Sequence, residues 1–370
     1  MTCPLSAFLS FGWDPGGSCD EQIDFPTRNC QKRHMQRKIS ITISTYNRCN
    51  LLERILISLN NQTVCAKLYE VIVCDSRSSD GTDRMIVNFS RTAEYQLRHV
   101  HTKNNLAAKR NIGISEAAFP LVVFLDDDCI PDTEFVARYL EAFADKEPDE
   151  LVAICGEVRY PEEFVNASNY YRFRDSRHYG PNAEKKPPAT LDYKTIVVMN
   201  MCFARDAFLK NINRVDESFI GYGAEDQDLG WRMQQAGYQI ITCDARIYHY
   251  ETTGTISAYG SKIRRASRDG MSTLLRVNSQ AAFGIKNLRK LDHQFPERTI
   301  FDKLTRKIVV LLMLMQVHII LALFLEKTDR TRRLYFPTAY RFLMGIYYVQ
   351  GSLNREFALT AQEAELGWEK

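Results

Sequence analysis

The 370-residue sequence has almost no surplus of one charge: 48 Lys and Arg stand against 45 Asp and Glu, a formal net charge of +3. That balance removes any global case for a nucleic-acid binder, so a preference for polyanions has to come from a local patch. The ten cysteines contain no C-x-x-C pair, which excludes the usual zinc framework and the dithiol redox motif. Cys74, Cys155 and Cys202 sit instead in apolar strings, the setting of reduced core thiols in a cytosolic protein. A phosphate-cradling G-x-x-x-x-G-K-[ST] loop is missing too, which disfavours P-loop phosphoryl or nucleotidyl transfer. No charged start followed by an apolar core opens the chain, so no signal peptide is expected.

What is present centres on one stretch. Leu121 to Leu125 follow Pro120 as five apolar residues, and Asp126, Asp127 and Asp128 come next. The apolar string reads as a buried strand, with the acids where it must leave its sheet. Adjacent acids repel one another unless they share a cation, and oxygen-rich sites suit hard ions such as Mg²⁺ or Mn²⁺ that also hold phosphates. Asp126 and Asp128 reach the same side of an extended backbone. A solvated acidic turn is the plain alternative, but open parallel sheets bind ligands at the carboxyl ends of their strands.

Residues 1–37 are rich in Gly, Pro and polar side chains and end in a basic run, an irregular arm with Phe8, Phe11 and Trp13 as its local anchors. From Ile39 the pattern becomes regular. Strands are expected at 39–44, 70–75, 97–101 and 121–125, with helices at 51–59 and 106–118 and another opened by the turn 76–82. Alternating strands and helices imply an α/β protein with a doubly wound, mostly parallel, Rossmann-like sheet and right-handed crossovers. Asp75 then shares a crevice with the acid triplet, where it accepts from the base or ribose of a nucleotide or caps the following turn. Lys109 and Arg110 suit diphosphate partners, because basic charge at a helix start is otherwise unfavourable.

Farther on, a helix is expected at 135–143 and strands at 151–155, 196–203 and 238–243. Between them, 160–193 reads as a long irregular loop whose Tyr160, Tyr170, Tyr171, Phe173, Arg172, Arg174, Arg177, His178 and Tyr179, followed by Lys185 and Lys186, suit a sugar-binding loop, with a surface insertion that binds nothing as the alternative. Gly221-Tyr222-Gly223-Ala224-Glu225-Asp226-Gln227-Asp228 reads as a flexible turn entering a helix. Three carboxylates within four positions exceed what a helix cap needs.

Thr45-Tyr46-Asn47-Arg48, Val71 to Ser76 with Ser79-Asp80-Gly81-Thr82, Ala108 to Gly113, and Phe124 to Asp128 together resemble family 2 glycosyltransferases of the GT-A fold. The resemblance covers roughly residues 39–250. Arg77 departs from it, standing where the family commonly has Gly. The resemblance implies an inverting transfer from a nucleotide diphosphate sugar, with UDP the expected nucleotide, to a hydroxyl of a glycan or lipid-linked acceptor. It further implies that Thr45, Tyr46, Arg48, Asp75, Arg110, Asp126 and Asp127 bind the nucleotide. Asp126, Asp128 and His249 would hold a divalent Mn²⁺ or Mg²⁺, Asp226 would be the catalytic base, and Glu225 would help to place the acceptor. The expected organisation is a nucleotide-sugar half at 38–132, an acceptor half at 133–285 and a helical segment at 286–370. A non-catalytic carbohydrate-binding or scaffold protein on the same fold is the alternative.

In the last segment, Ile308 to Leu325 form an apolar run at the lower limit for crossing a bilayer, interrupted by Gln316 and His318 and flanked by basic residues on both sides. Residues 334–349 mix Tyr, Phe and Leu with Arg341, as interface helices do. The expectation is a helical hairpin on or dipping into the cytoplasmic leaflet, with one span or a core helix as alternatives.

Overall fold

A computed structural model describes residues 37–177, 187–251, 254–285, 288, 290–295 and 299–355. The rest of the N-terminal arm, together with His178, Tyr179, Lys185 and Lys186 of the expected loop, lies outside the described residues.

Three βα units and a fourth strand come first. They are β1 (Ile39–Thr45) with α1 (Cys49–Asn60), β2 (Tyr69–Asp75) with α2 (Thr82–Phe89), β3 (Gln96–His101) with α3 (Leu106–Glu116), and β4 (Leu121–Asp126). All four strands pair in parallel. Strand alternation sends Ile39, Ile41, Ile43, Val123 and Leu125 into one apolar cluster with Leu52, Ile55 and Leu56 of α1. The intervening Ile72, Cys74, Val122 and Phe124 enter a second cluster with Ala107 and Ile114 of α3. Both faces of the sheet are thereby covered, which is why these strands read as nearly unbroken apolar strings.

The second half continues with β5 (Cys129–Pro131), α4 (Phe135–Ala142), β6 (Val152–Cys155), β7 (Val158–Arg159), α5 (Glu162–Ala167), α6 (Asn169–Asp175), β8 (Asn200–Ala204), α7 (Arg205–Asn211), α8 (Glu225–Gln235), β9 (Gln239–Thr242) and β10 (Ile247–His249). The main sheet has the order β3-β2-β1-β4-β8-β6-β9, and a small sheet has the order β5-β10-β7. β8 runs antiparallel to both β4 and β6, so the sheet is mostly but not wholly parallel. The strand expected at 196–203 is confined to its second half and one further residue. Part of the loop expected at 160–193 is helical, in α5 and α6, with Ser168 capping α6 by accepting from the Tyr171 N–H.

Beyond the sheets, α9 (Ile256–Arg265) runs through a π turn at Ala266–Gly270 into α10 (Met271–Val277), followed by α11 (Ser279–Gly284), α12 (Ile300–Leu314), α13 (Val317–Lys327) and α14 (Pro337–Leu353). A capping box at Thr299 and Asp302 opens α12. The expected apolar run is broken at Gln316, whose φ is 57°. No single helix among the described residues is long and apolar enough to cross a membrane; α12 and α13 meet that test only as a pair bent by 72°.

Candidate active site

The register of the parallel strands brings the acids together. Thr45 lies opposite Asp75, and Ser44 lies opposite Asp126, so three adjacent strands end on one level. The loops beyond them are knitted to each other. The Asn47 N–H donates to Ser78 Oγ at 2.8 Å, Asn47 Oδ1 accepts from the Ser79 N–H at 2.8 Å, and Asp80 Oδ2 accepts from the Cys49 N–H at 2.8 Å. Arg77 adopts a φ of 59°, a left-handed backbone that glycine takes without strain and arginine does not.

Asp75 is fully buried and accepts from Ser78 N–H at 2.9 Å and Ser78 Oγ at 2.5 Å. Burial opposes its charge, but His99 and the Ser78 bonds outweigh burial and hold its carboxyl below the usual range. Lys109 is buried as well, with Nζ 3.3 Å from Asn104 Oδ1 and 5.6 Å from the centre of the Tyr46 ring. Burial pushes its ammonium down to about 8.

The acid triplet meets basic side chains from three elements. Arg48, at the start of α1, places Nη1 2.7 Å from Asp128 Oδ2 and 3.3 Å from Asp127 Oδ1. His249 comes from β10, which pairs antiparallel with β5 so that His249 lies opposite Cys129. Its Nε2 is 3.5 Å from Asp128 Oδ2. Burial raises Asp127, whereas for Asp128 the charges of His249 and Arg48 overcome burial and hold the carboxyl low.

Arg110 joins the two halves. Only 3% exposed, it lies 3.5 Å from Asp126 Oδ1 through Nη2 and 3.5 Å from Asp226 Oδ1 through Nη1. Arg110 and Lys109, read from the sequence as basic residues beside the crevice, are thus both buried there. Glu225 and Asp226 stand in the first turn of α8, after Ala224 with a φ of 70° and Gly223 with a φ of 94°. Gly270, in the π turn, packs directly on this loop, since a Cβ there would meet the Gly223 carbonyl oxygen at 2.0 Å. The surrounding protein raises both carboxyls, Glu225 up to about 7 with Asp226 as the next cause. Asp228, the third acid of this cluster, is spoken for structurally: it accepts from Arg232 Nε at 2.8 Å and from Asn278 Nδ2 at 3.0 Å.

The aromatic segment differs from its expected role. Tyr160, Tyr170 and Phe173 are core residues at 2% exposure each, closed to a sugar. Arg174 is buried against Glu251 at 2.9 Å and lies 3.9 Å from the centre of the Tyr259 ring. Sequence reasoning passed over His99 and His101, which face Asp75 from β3 at 3.7 and 3.6 Å. The available signal was a pair of histidines two residues apart on the strand beside the one that ends in Asp75.

Comparison with known proteins agrees with this geometry. A family model described as Glycosyl transferase family 2 matches residues 40–211, and one described as the N-terminal domain of galactosyltransferase matches residues 181–255. A chondroitin synthase of Escherichia coli is 26% identical over 269 residues, covering 64% of this chain and 38% of the synthase. A validoxylamine A glucosyltransferase of Streptomyces hygroscopicus is 27% identical over 221 residues, covering 54% of this chain and 52% of that enzyme. An uncharacterised glycosyltransferase of Bacillus subtilis is 26% identical over 245 residues, covering 54% of this chain and 61% of the relative. The chain thus spans about half the length of these curated relatives. A mannosyltransferase from Pyrobaculum calidifontis, solved with GDP-mannose and Mn²⁺, shares the fold at a TM-score of 0.60 and 19% identity, with 88% of each chain covered. These matches, with the ordered strand-end motifs from Thr45 to Asp128, support a family 2 glycosyltransferase domain over residues 40–211.

Proposed function

We propose that this chain is a metal-dependent, inverting glycosyltransferase that moves a sugar from a nucleotide diphosphate sugar to a hydroxyl of a glycan or lipid-linked acceptor. The observation that carries this reading is Arg110. One buried guanidinium lies 3.5 Å from Asp126 and 3.5 Å from Asp226, so the acids expected at the donor diphosphate and at the acceptor hydroxyl share one crevice.

Asp226 takes the proton as the acceptor oxygen bonds to the anomeric carbon, and the bond from that carbon to the diphosphate breaks with its electron pair leaving on the diphosphate. A base facing the leaving group across the sugar requires displacement from the opposite side, hence inversion. Burial raises the Asp226 carboxyl, which makes it a stronger proton acceptor than an exposed aspartate. Asp75, Thr45 and Tyr46 accept the nucleoside, and Arg48 with Asp127 borders the diphosphate. UDP is the favoured nucleotide by family likeness. Asp126, Asp128 and His249 fit a hard divalent ion, Mn²⁺ or Mg²⁺. Three successive carboxylates, with His249 Nε2 3.5 Å from Asp128 Oδ2, form an oxygen-rich donor set with one imidazole. Such an ion would offset charge developing on the leaving diphosphate.

The exposed apolar side chains of α12 and α13 favour placement on a membrane at its cytoplasmic face. Ile300, Phe301, Leu304, Leu311 and Leu314 of α12 and Ile320 of α13 are each more than half exposed, a patch that marks an interaction surface. Lys303, Lys307, Arg330, Arg332 and Arg333 are exposed nearby, positioned for anionic headgroups.

A thermal-shift series with UDP, GDP, dTDP and CMP, each with Mn²⁺ or with a chelator, tests the donor site. The expected result is a rise in Tm with one diphosphate that vanishes under chelation and in Asp128→Ala. Folded protein that responds to none of them would sink the donor-site assignment in favour of a carbohydrate-binding scaffold.

A further inference from the structure

A second group of metal-ligating side chains stands at the edge of the main sheet. β3 is the edge strand, and alternation along it turns His99 and His101 to one face. There they meet the end of β2 and the first turn of α2. His99 Nε2 lies 3.7 Å from Asp75 Oδ2 and 3.7 Å from Asp83 Oδ1, and His101 Nδ1 lies 3.6 Å from Asp75 Oδ2. One atom from each of these four residues falls within 4.8 Å of all the others. His99 Nε2 is buried and has no hydrogen-bond partner, since both carboxylates stand beyond hydrogen-bond reach.

The three histidine–carboxylate separations are near those of a ligand shell, and the remaining pairs lie within 4.8 Å. Bonds of about 2.1 Å to a tetrahedral ion put its ligand atoms about 3.4 Å apart, close to the 3.6 and 3.7 Å separations here. The donor set also differs from that of the crevice triplet. Two imidazole nitrogens with two carboxylate oxygens suit a borderline ion such as Zn²⁺, whereas adjacent carboxylates suit Mg²⁺ or Mn²⁺. The Ser78 N–H, donating to Asp75 Oδ2 at 2.9 Å, supplies the outer hydrogen bond that orients a ligating carboxylate.

We propose that Asp75, Asp83, His99 and His101 form a binding site for a zinc-type divalent ion, separate from the crevice cation, and that an ion bound there excludes the nucleoside from Asp75. The exclusion rests on the assignment of Asp75 to the nucleotide; the site itself does not.

Zinc titration against a chromophoric chelator, in wild type, His99→Ala, His101→Ala and Asp128→Asn, tests the site. Both histidine variants are expected to lose zinc affinity by about 100-fold or more, while Asp128→Asn keeps it. Equal zinc affinity in wild type and both histidine variants would overturn the site. UDP and GDP binding is then measured by calorimetry with Mn²⁺ in excess, with and without zinc. Zinc is expected to weaken nucleotide binding in wild type and to leave it unchanged in His99→Ala. Zinc bound through the histidines with nucleotide affinity untouched would overturn the exclusion. Nucleotide failing to bind the zinc-free protein would instead refute the donor reading of Asp75, and the zinc titration would still decide the site.

Discussion

At the start of α8 two neighbouring carboxylates are buried together. Asp226 Oδ1 lies 3.5 Å from Arg110, and neither it nor Glu225 Oε2 has a hydrogen-bond partner. Asp226→Asn is expected to lower kcat by about 100- to 10,000-fold, the usual worth of a positioned base, with nucleotide affinity nearly unchanged. Steady-state transfer rates alongside calorimetric nucleotide binding check both halves of that statement. Glu225 has a stability signature as well. Its folded pKa is raised from 4.5 to about 7 by burial and by Asp226, so the folded state holds a proton that the unfolded chain releases. The stability it contributes is complete below 4.5 and is lost as pH rises through about 7. Denaturant midpoints across that window should fall in wild type and fall less steeply in Glu225→Gln, the raised carboxyls of Asp127 and Asp226 supplying the remainder. The acids of the site were legible in the sequence because each follows an apolar string or a glycine turn. Arg110 was legible as a basic residue near the crevice but not as a bridge, since its two partners are sixteen and 116 positions away along the chain. His99 and His101 escaped notice because polar residues on a short edge strand are ordinary.

Among the elements, α12 and α13 carry the exposed apolar face. Leu311→Glu with Ile320→Glu is expected to abolish cosedimentation with anionic vesicles, since each buried aliphatic side chain contributes about 1.5–3 kcal/mol. The melting temperature should hold, because both positions are more than half exposed. Unchanged vesicle binding would remove the membrane role. The π turn is the tighter element. Gly270→Ala puts a methyl against the Gly223 carbonyl, a collision expected to cost about 1–3 kcal/mol and to displace the start of α8. Urea unfolding and kcat, measured together, should both fall. The parallel strands β1 to β4 were readable because apolar strings alternate with helical spacing. The reversal of β8 was not, since an apolar string buried on both faces carries no mark of its direction. The break at Gln316 was signalled by a polar pair inside the apolar run, although its 72° bend was not.

Across the whole molecule, the far end of α14 is tied back by a buried ion pair. Arg355 donates through Nη1 to Asp292 Oδ1 at 2.8 Å and through Nε to the Ser267 carbonyl at 2.9 Å, and the Tyr348 hydroxyl donates to Asp292 Oδ2 at 2.6 Å. Arg355→Met leaves a fully buried carboxylate uncompensated, a loss of about 3–5 kcal/mol. Adding Asp292→Leu should restore much of it, and a double-mutant cycle in denaturant reads the coupling. Arg110 sets a comparable bond between the two halves of the catalytic crevice, contributed by α3 yet held in common by acids from β4 and α8. Replacing the segment that carries Asp226 with a foreign one leaves Arg110 a buried guanidinium short of one counter-ion, so any such graft must bring a carboxylate to that position.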